Sequence, residues 1–183
     1  MSSSRELVQL LLDRSVKHGN FVLASGAKST FYIDARLTTM SAQGLALIGR
    51  LGVAAIREAG WNPKSLGGLT MGADPVAYAI ARATADDPQV IEAFSVRKVA
   101  KEHGTSKRIE GNFTPGDAVV VVEDVITTGG SARQAIEAVE AEGGKIVGVL
   151  AVVDRLEGGR SRIEAMGYPV VALTTIQDLG LCK

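Results

Sequence analysis

The chain has 183 residues, is 46% hydrophobic, and carries 20 basic and 20 acidic side chains, so its formal net charge is zero. This composition excludes a globally disordered chain and a globally basic nucleic-acid-binding protein. It contains no run of about 18 apolar residues, so we expect no membrane span. The single cysteine, Cys182, permits neither an intrachain disulfide nor a cysteine zinc cluster. Because the N-terminal sequence also lacks a signal-peptide layout, we expect a cytoplasmic protein.

The first 40 residues predict a helix followed by a hairpin. Ser3 and Glu6 form a capping-box pattern, leucines at 7, 10 and 11 give one apolar face, and Gly19 is the predicted helix end. The segments FVLAS and TFYID flank the turn GAKS, which predicts two antiparallel strands.

Helices and strands then alternate along the chain. We predict a helix at 41–60, a strand and a helix from about Pro75 within 65–84, and a strand at 90–96. Residues 97–117 show no clean periodicity. A strand DAVVVVED, a helix at 131–144, and strands at 145–155 and 169–175 complete the pattern. Apolar strands alternating with helices predict an α/β fold, a parallel sheet covered by helices on both faces, in a single domain over 1–183.

Ligands of such sheets bind beyond the carboxyl ends of the strands, where this chain has MGADP, EDVITTGG and DRLEGG. In EDVITTGGS, a glycine turn at a helix start offers converging N–H groups and partial positive charge, which suits a phosphate. Glu123 and Asp124 would repel that phosphate but suit two vicinal sugar hydroxyls. The segment therefore predicts a site for a phosphorylated ribose. The alternative is a solvated strand end followed by a helix cap.

The stretch VVVVEDVITTGGSA resembles the ribose-5-phosphate signature of type I phosphoribosyltransferases. The resemblance implies the substrate 5-phosphoribosyl 1-pyrophosphate (PRPP), used with Mg²⁺ that PRPP and water hold without direct protein ligands. The PRPP-binding residues that it implies in this segment are Glu123, Asp124, Val125, Ile126, Thr127, Thr128, Gly129, Gly130 and Ser131.

The stretch RKVAKEHGTSKR, 97–108, has five basic residues and one acidic residue, which suits a pyrophosphate leaving group. The alternative is a solvated basic loop or a weak nucleic-acid-binding patch. The stretch resembles the RKxxKxHG catalytic lid of orotate phosphoribosyltransferases, here predicted at about 97–112. The resemblance implies that Arg97, Lys98, Lys101 and His103 bind PRPP, that Lys101 and His103 act in catalysis together with Asp124, and that the lid is shared across a homodimer.

The base site is expected between the hairpin and the strand ending in Arg155. The segment FVLASGAKSTFYIDAR resembles the family's N-terminal hairpin, or hood, and places Lys28, Phe31 and Tyr32 at the base. Because side chains alternate along a strand, one of the two aromatics could instead pack in the hairpin core. Arg155 suits a carboxylate, with a surface pair to Asp154 as its alternative. The resemblance also places Thr127 near orotate.

The resemblance spans about residues 5 to 175 and implies an orotate phosphoribosyltransferase of pyrimidine (UMP) biosynthesis. It also implies pyrophosphate contacts around Gly72–Asp74, where Asp74 could instead hold a metal-bound water or cap the next helix. Three alternatives stay open: transfer to another nucleobase, a PRPP-sensing regulatory protein, and a PRPP synthetase. The balanced charge argues against nucleic acid as a partner.

Overall fold

A six-stranded sheet of order β5-β4-β3-β6-β7-β8 forms the centre of the computed structural model, which describes residues 3–22, 28–99 and 108–181. Its strands are β3 (Ser65–Leu69), β4 (Glu92–Val96), β5 (Ile109–Gly111), β6 (Ala118–Ile126), β7 (Lys145–Asp154) and β8 (Val170–Thr175). All neighbouring pairs are parallel except β4 with β5. The parallel strands therefore end at one edge of the sheet.

Helices cover both faces of this sheet, as predicted. Along β6, Val120 and Val122 pack into one hydrophobic layer, whereas Val119 and Val121 pack into the other. This alternation buries all four valines of the run, which explains why residues 119–122 are apolar without interruption. The covering helices are α1 (Ser3–Arg14), α3 (Ala42–Glu58) and α4 (Ala73–Ala83) on the first face, and α5 (Gly130–Ala141) and α6 (Gly159–Glu164) on the second.

The predicted hairpin is present, but it begins earlier than the sequence pattern indicated. Helix α1 ends at Arg14, and Gly19 lies within β1 (Val16–Val22), which pairs antiparallel with β2 (Lys28–Ile33). The buried hydroxyls of Ser15 and Thr38 lie 2.7 Å apart where the helix gives way to the strand. Pairing of Val16 with Ile33 thus overrides a helix that local sequence would allow to continue. A short helix, α2 (Arg36–Thr39), follows β2.

One strand lies inside the range predicted as a lid. Strand β5 pairs antiparallel with β4, and the Arg97 N–H donates to the Arg108 carbonyl at 2.8 Å. The sheet is therefore mostly parallel, with one antiparallel edge. Over the described residues, no helix has the length and apolar character needed to cross a membrane.

Candidate active site

A cleft of about 580 Å³ lies at the carboxyl edge of the sheet, between the strand ends and the hairpin. Three connections meet there, after β3, β6 and β7, as expected for a parallel sheet. The lining residues are 32–36 from the hairpin side, 69–72 after β3, Lys98, and Glu123, Asp124, Val125, Thr127, Ser131 and Arg155. The cleft thus brings together residues that lie more than 100 positions apart in the sequence.

The glycine turn after β6 opens a second cavity of about 350 Å³ that adjoins the cleft and is lined by Thr127 to Ser131. Gly129 has φ +78°, a left-handed conformation that glycine adopts without steric cost, and α5 begins at the next residue. The backbone N–H groups of this first turn have no partners within the helix, so they are available to an anion. The structure therefore contains the glycine turn and the helix start on which the predicted phosphate site depends, and the phosphate site itself stays a prediction.

A second glycine turn, after β7, supports the turn after β6 from behind. The Gly159 N–H donates to the Thr127 carbonyl at 3.1 Å, and Arg162 Nη1 donates to the Thr128 carbonyl at 3.2 Å. A Cβ at Gly159 would lie 2.6 Å from the Thr127 oxygen, so the two turns pack backbone against backbone.

Glu123 and Asp124 face the cleft from the end of β6. Glu123 is only 5% exposed, and its Oε1 has no hydrogen-bond partner among the described residues. Burial, and secondarily the charge of Asp124, raise the pKa of Glu123 to about 8. Burial also raises the pKa of Asp124, while the Val125 N–H and the charge of Arg36 oppose that shift. The pair is thus poised to gain hydrogen-bond donors from a ligand.

The loop after β3 lies directly against Asp124. A Cβ at Gly72 would be 2.7 Å from both carboxylate oxygens of Asp124, so glycine is what allows this approach. Asp74 Oδ2 accepts a hydrogen bond from Thr70 Oγ1 at 2.7 Å, which ties the loop to the start of α4. Gly72 lines the cleft, whereas Asp74 does not line it and instead stabilises the loop that contains Gly72.

The two hairpin aromatics divide as strand alternation predicts. Tyr32 is 40% exposed and lines the cleft, whereas Phe31 is 5% exposed and packs in the core. Phe31 nevertheless contributes to the site, because the Arg155 guanidinium carbon lies 5.8 Å from the centre of its ring.

Arg155 lines the cleft at the carboxyl end of β7. Its carboxylate partner is Glu157, with Nη2 and Oε1 2.9 Å apart. A surface pair between Arg155 and Asp154 is not what the structure shows. Asp154 is fully buried, and its Oδ1 accepts a hydrogen bond from the Leu156 N–H at 2.8 Å.

The remaining predicted residues are placed as follows. Lys98 lines the cleft, whereas Arg97 does not and instead donates from Nε to Glu110 Oε1 at 3.0 Å. Ile126 has its side chain in the core, so only its backbone faces this region. Lys101, His103 and the side chain of Lys28 lie outside the described residues. Their roles stay predictions.

An ion pair missed by the sequence analysis also lines the cleft. Asp34 accepts hydrogen bonds from the Arg36 backbone N–H and from its Nε and Nη2, at 3.2, 2.8 and 2.9 Å. The hydrogen bonds from Arg36 hold the pKa of Asp34 below its ordinary value. The signal was an Asp-x-Arg directly after a predicted strand. It escaped notice because β2 belongs to the hairpin and not to the main sheet.

Residues 40–170 match the sequence model of a family described as "Phosphoribosyl transferase domain". The chain is 42% identical over 179 residues to a protein from Rhodopirellula baltica named orotate phosphoribosyltransferase, which covers 96% of this chain and 93% of that protein. It resembles the crystal structure of Mycobacterium tuberculosis orotate phosphoribosyltransferase with inorganic phosphate at a TM-score of 0.86 and 41% identity, over 99% of this chain and 100% of that one.

The same M. tuberculosis enzyme, in complex with PRPP, matches at a TM-score of 0.83 and 40% identity, over 98% of this chain and 99% of that one. The similarity in sequence and in fold therefore extends over nearly the whole length of this chain and of the M. tuberculosis enzyme. The chain belongs to the phosphoribosyltransferase family and, within it, to the orotate phosphoribosyltransferases.

Proposed function

We propose that this chain transfers ribose 5-phosphate from PRPP to orotate, giving orotidine 5-monophosphate and pyrophosphate. The observation that carries the proposal is the set of groups gathered at one sheet edge. A glycine turn at a helix start, two carboxylates and a guanidinium line two adjoining cavities there. These groups suit a 5-phosphate, a ribose and a base that bears a carboxylate.

In this assignment the 5-phosphate binds the turn from Thr127 to Ser131, and the ribose hydroxyls bind Glu123 and Asp124. Each hydroxyl donates to a carboxylate oxygen, which supplies a partner for buried Glu123 Oε1, an atom that has none among the described residues. Orotate lies between Tyr32, Thr127 and Arg155, and its carboxylate pairs with the Arg155 guanidinium. The pyrophosphate then extends towards Gly72 and Lys98.

The reaction needs no protein nucleophile. A ring nitrogen of orotate releases its proton to water and bonds to the anomeric carbon while the bond from that carbon to a pyrophosphate oxygen breaks, so pyrophosphate leaves with the electron pair. The protein contributes by holding both reactants in line and by placing cations where negative charge grows. Lys98 lines the cleft at that end, and Lys101 and His103 are expected to join it from the lid.

In this assignment a Mg²⁺ ion arrives bound to PRPP. Glu123 and Asp124 are the side chains that would hold the ribose hydroxyls of the Mg²⁺-bound substrate. When bound, Mg²⁺ neutralises negative charge on the pyrophosphate.

We further propose that the protein works as a homodimer in which Arg97, Lys101 and His103 serve the partner's cleft, whereas Lys98 lines the cleft of its own chain. The side chain of Arg97 supports this, since it does not line its own cleft. Sedimentation analysis would test the assembly. Mixing a Lys101→Ala variant with an Arg155→Ala variant would restore activity only if sites are shared.

The reaction itself is tested by mixing the purified protein with PRPP, Mg²⁺ and orotate and following the ultraviolet absorbance of orotate. Parallel reactions contain uracil, hypoxanthine or adenine in place of orotate. We expect the absorbance to fall only in the reaction that contains orotate as the base. It should stay constant when EDTA is added to remove Mg²⁺. Turnover of a different base would overturn the assignment of Arg155. PRPP binding without turnover of any base would indicate a sensor instead of an enzyme.

A further inference from the structure

Glu157 places a carboxylate on the guanidinium that the proposed function reserves for the substrate. Its Oε1 lies 2.9 Å from Arg155 Nη2, and the two side chains are 28% and 9% exposed. The contact is an ion pair of poor hydrogen-bond geometry, because neither Nε nor Nη2 of Arg155 has a hydrogen-bond partner among the described residues. A buried guanidinium with unmet N–H donors is unfavourable, so a better-aligned carboxylate would be preferred.

The backbone is folded so as to bring Glu157 to this place. Asp154, fully buried, accepts a hydrogen bond from the Leu156 N–H at 2.8 Å. Leu156 has φ +55°, a left-handed conformation that leucine rarely adopts. The chain therefore reverses directly after Arg155, and the residue after the reversal is the glutamate.

Arg155 itself is held in place independently of Glu157. Its guanidinium lies over the Phe31 ring at 5.8 Å, and its backbone N–H donates to the Ile126 carbonyl at 3.0 Å. Nε and Nη2 together form the edge of a guanidinium that binds a carboxylate through two parallel hydrogen bonds. Glu157 lies against that edge without satisfying it.

We propose that Glu157 stands in for the substrate carboxylate in the ligand-free protein and competes with orotate for Arg155. This inference rests on the proposed function. When orotate binds, its carboxylate takes the Nε–Nη2 edge and Glu157, already partly exposed, turns to water. A neutral base has no carboxylate to offer and leaves the internal pair in place. Glu157 is thus a residue that sets base specificity through competition.

This role has a thermodynamic signature that a supporting role lacks. Glu157→Gln removes the internal counter-charge, so the ligand-free protein becomes less stable because a buried cation is left unpaired. A ligand carboxylate then restores the missing charge, so affinity for that ligand rises. If Glu157 merely oriented Arg155, its removal would lower both the stability of the protein and its affinity for the ligand.

The test uses two nucleotides that differ only in the carboxylate, orotidine 5-monophosphate and uridine 5-monophosphate. Isothermal titration calorimetry gives Kd for each with the wild-type protein and with Glu157→Gln. We expect Glu157→Gln to tighten orotidine 5-monophosphate on the order of 10-fold, the size of coupling between contacting groups, and to leave uridine 5-monophosphate unchanged. Weaker or unchanged binding of orotidine 5-monophosphate would overturn the proposal, as would an equal shift for both nucleotides.

Three further variants keep the result decisive. Glu164→Gln makes the same exchange at an exposed glutamate that pairs with Arg160, and neither Kd should change. In an Arg155→Met background, Glu157→Gln should have no effect on either ligand. If Glu157→Gln does not fold, Glu157→Asp withdraws the carboxylate by one methylene and should likewise tighten the binding of orotidine 5-monophosphate.

Failure of the proposed function would be seen separately, as absence of orotate turnover by the wild-type protein.

Discussion

At the scale of single residues, the site depends on contacts that leave no room for a further atom. Gly72 is the clearest case, because its missing side chain is what allows Asp124 to lie against the loop after β3. Its φ of −67° is ordinary for any residue. The glycine is therefore required by space and not by backbone conformation.

We expect Gly72→Ala to separate folding from activity. The three atoms nearest the added Cβ all belong to the end of the Asp124 side chain, which can move, so the free energy of unfolding should change by less than about 1 kcal/mol. Displacement of that carboxylate should lower kcat/KM for PRPP on the order of 10²-fold. Steady-state kinetics and urea unfolding measure the two effects. In an Asp124→Ala background the same substitution should cost little more, and a large additional loss there would place its effect elsewhere.

The raised pKa of Glu123 should make the free energy of unfolding decrease as pH rises. Its pKa is 4.5 in an unperturbed carboxyl and about 8 in the fold, so between these values the unfolded chain releases a proton that the folded chain keeps. Folding is then progressively disfavoured as pH rises from about 4.5 to about 8, and the contribution levels off above that.

Glu123→Gln should abolish this dependence. The variant should gain stability over the wild type as pH approaches 8, with the difference shrinking towards pH 5. Urea unfolding at several pH values measures it. A wild-type profile that rises across this window, with no change in Glu123→Gln, would contradict the assignment. PRPP binding should also release protons at neutral pH, since sugar hydroxyls favour the ionised carboxylate.

At the scale of elements, close packing also fixes the sheet far from the cleft. A Cβ at Gly148, near the amino end of β7, would lie 2.2 to 2.5 Å from ring atoms of Trp61. The indole therefore covers the strand only because the position is glycine. This contact lies at the opposite end of β7 from Arg155.

Gly148→Ala should destabilise the protein by about 1–3 kcal/mol, as overpacking does, without changing kcat per folded molecule. Chemical denaturation with activity measured in parallel tests both parts. Adding Trp61→Leu should recover part of the loss by making room. Loss of activity that exceeds the loss of folded protein would show that the effect reaches the cleft.

The same elements show what sequence can predict. Strands β6 and β7 were predicted because burial on both faces requires an apolar run, and α5 because its alanines and Ile136 recur at helical spacing. Strand β1 was mistaken for helix over its first residues because it is largely exposed and shows no alternation. Strand β5 has three residues and exists only by pairing with β4, which is information held elsewhere in the chain.

The site was predictable to the extent that its chemistry is local. Residues 123–131 contain the carboxylates and the glycine turn in one stretch, so their grouping is visible in the sequence. By contrast, the approach of Gly72 to Asp124 and the contact of Arg155 with the Phe31 ring arise only when distant segments meet. The Asp34–Arg36 pair is local in sequence, but its position in the cleft depends on where the hairpin packs. No local pattern reports such distances.

At the scale of the whole molecule, the cleft lies between two units of structure, the hairpin and the six-stranded sheet. The contact of the Arg155 guanidinium with the Phe31 ring joins the end of β7 to the hairpin. The contact between the Ser15 and Thr38 hydroxyls lies at the start of the hairpin. A ligand that fills the cleft therefore touches both sides. Binding and folding should be linked through it.

PRPP with Mg²⁺ at about 100 times its Kd should raise the free energy of unfolding by about 2.7 kcal/mol. Thermal or urea unfolding with and without the ligand measures the gain. EDTA should remove the stabilisation by PRPP but not that by inorganic phosphate, which needs only the glycine turn. A PRPP effect that survives EDTA would show that the metal is dispensable for binding.

The paired glycine turns after β6 and β7 have a consequence for how this protein can vary. Gly159 packs so closely on the Thr127 carbonyl that neither turn can change shape while the other stays fixed. One turn holds the proposed phosphate and the other follows the residue proposed to choose the base. A mutant library aimed at a new base would therefore have to diversify both turns together, since most single changes at their junction would alter phosphate affinity first.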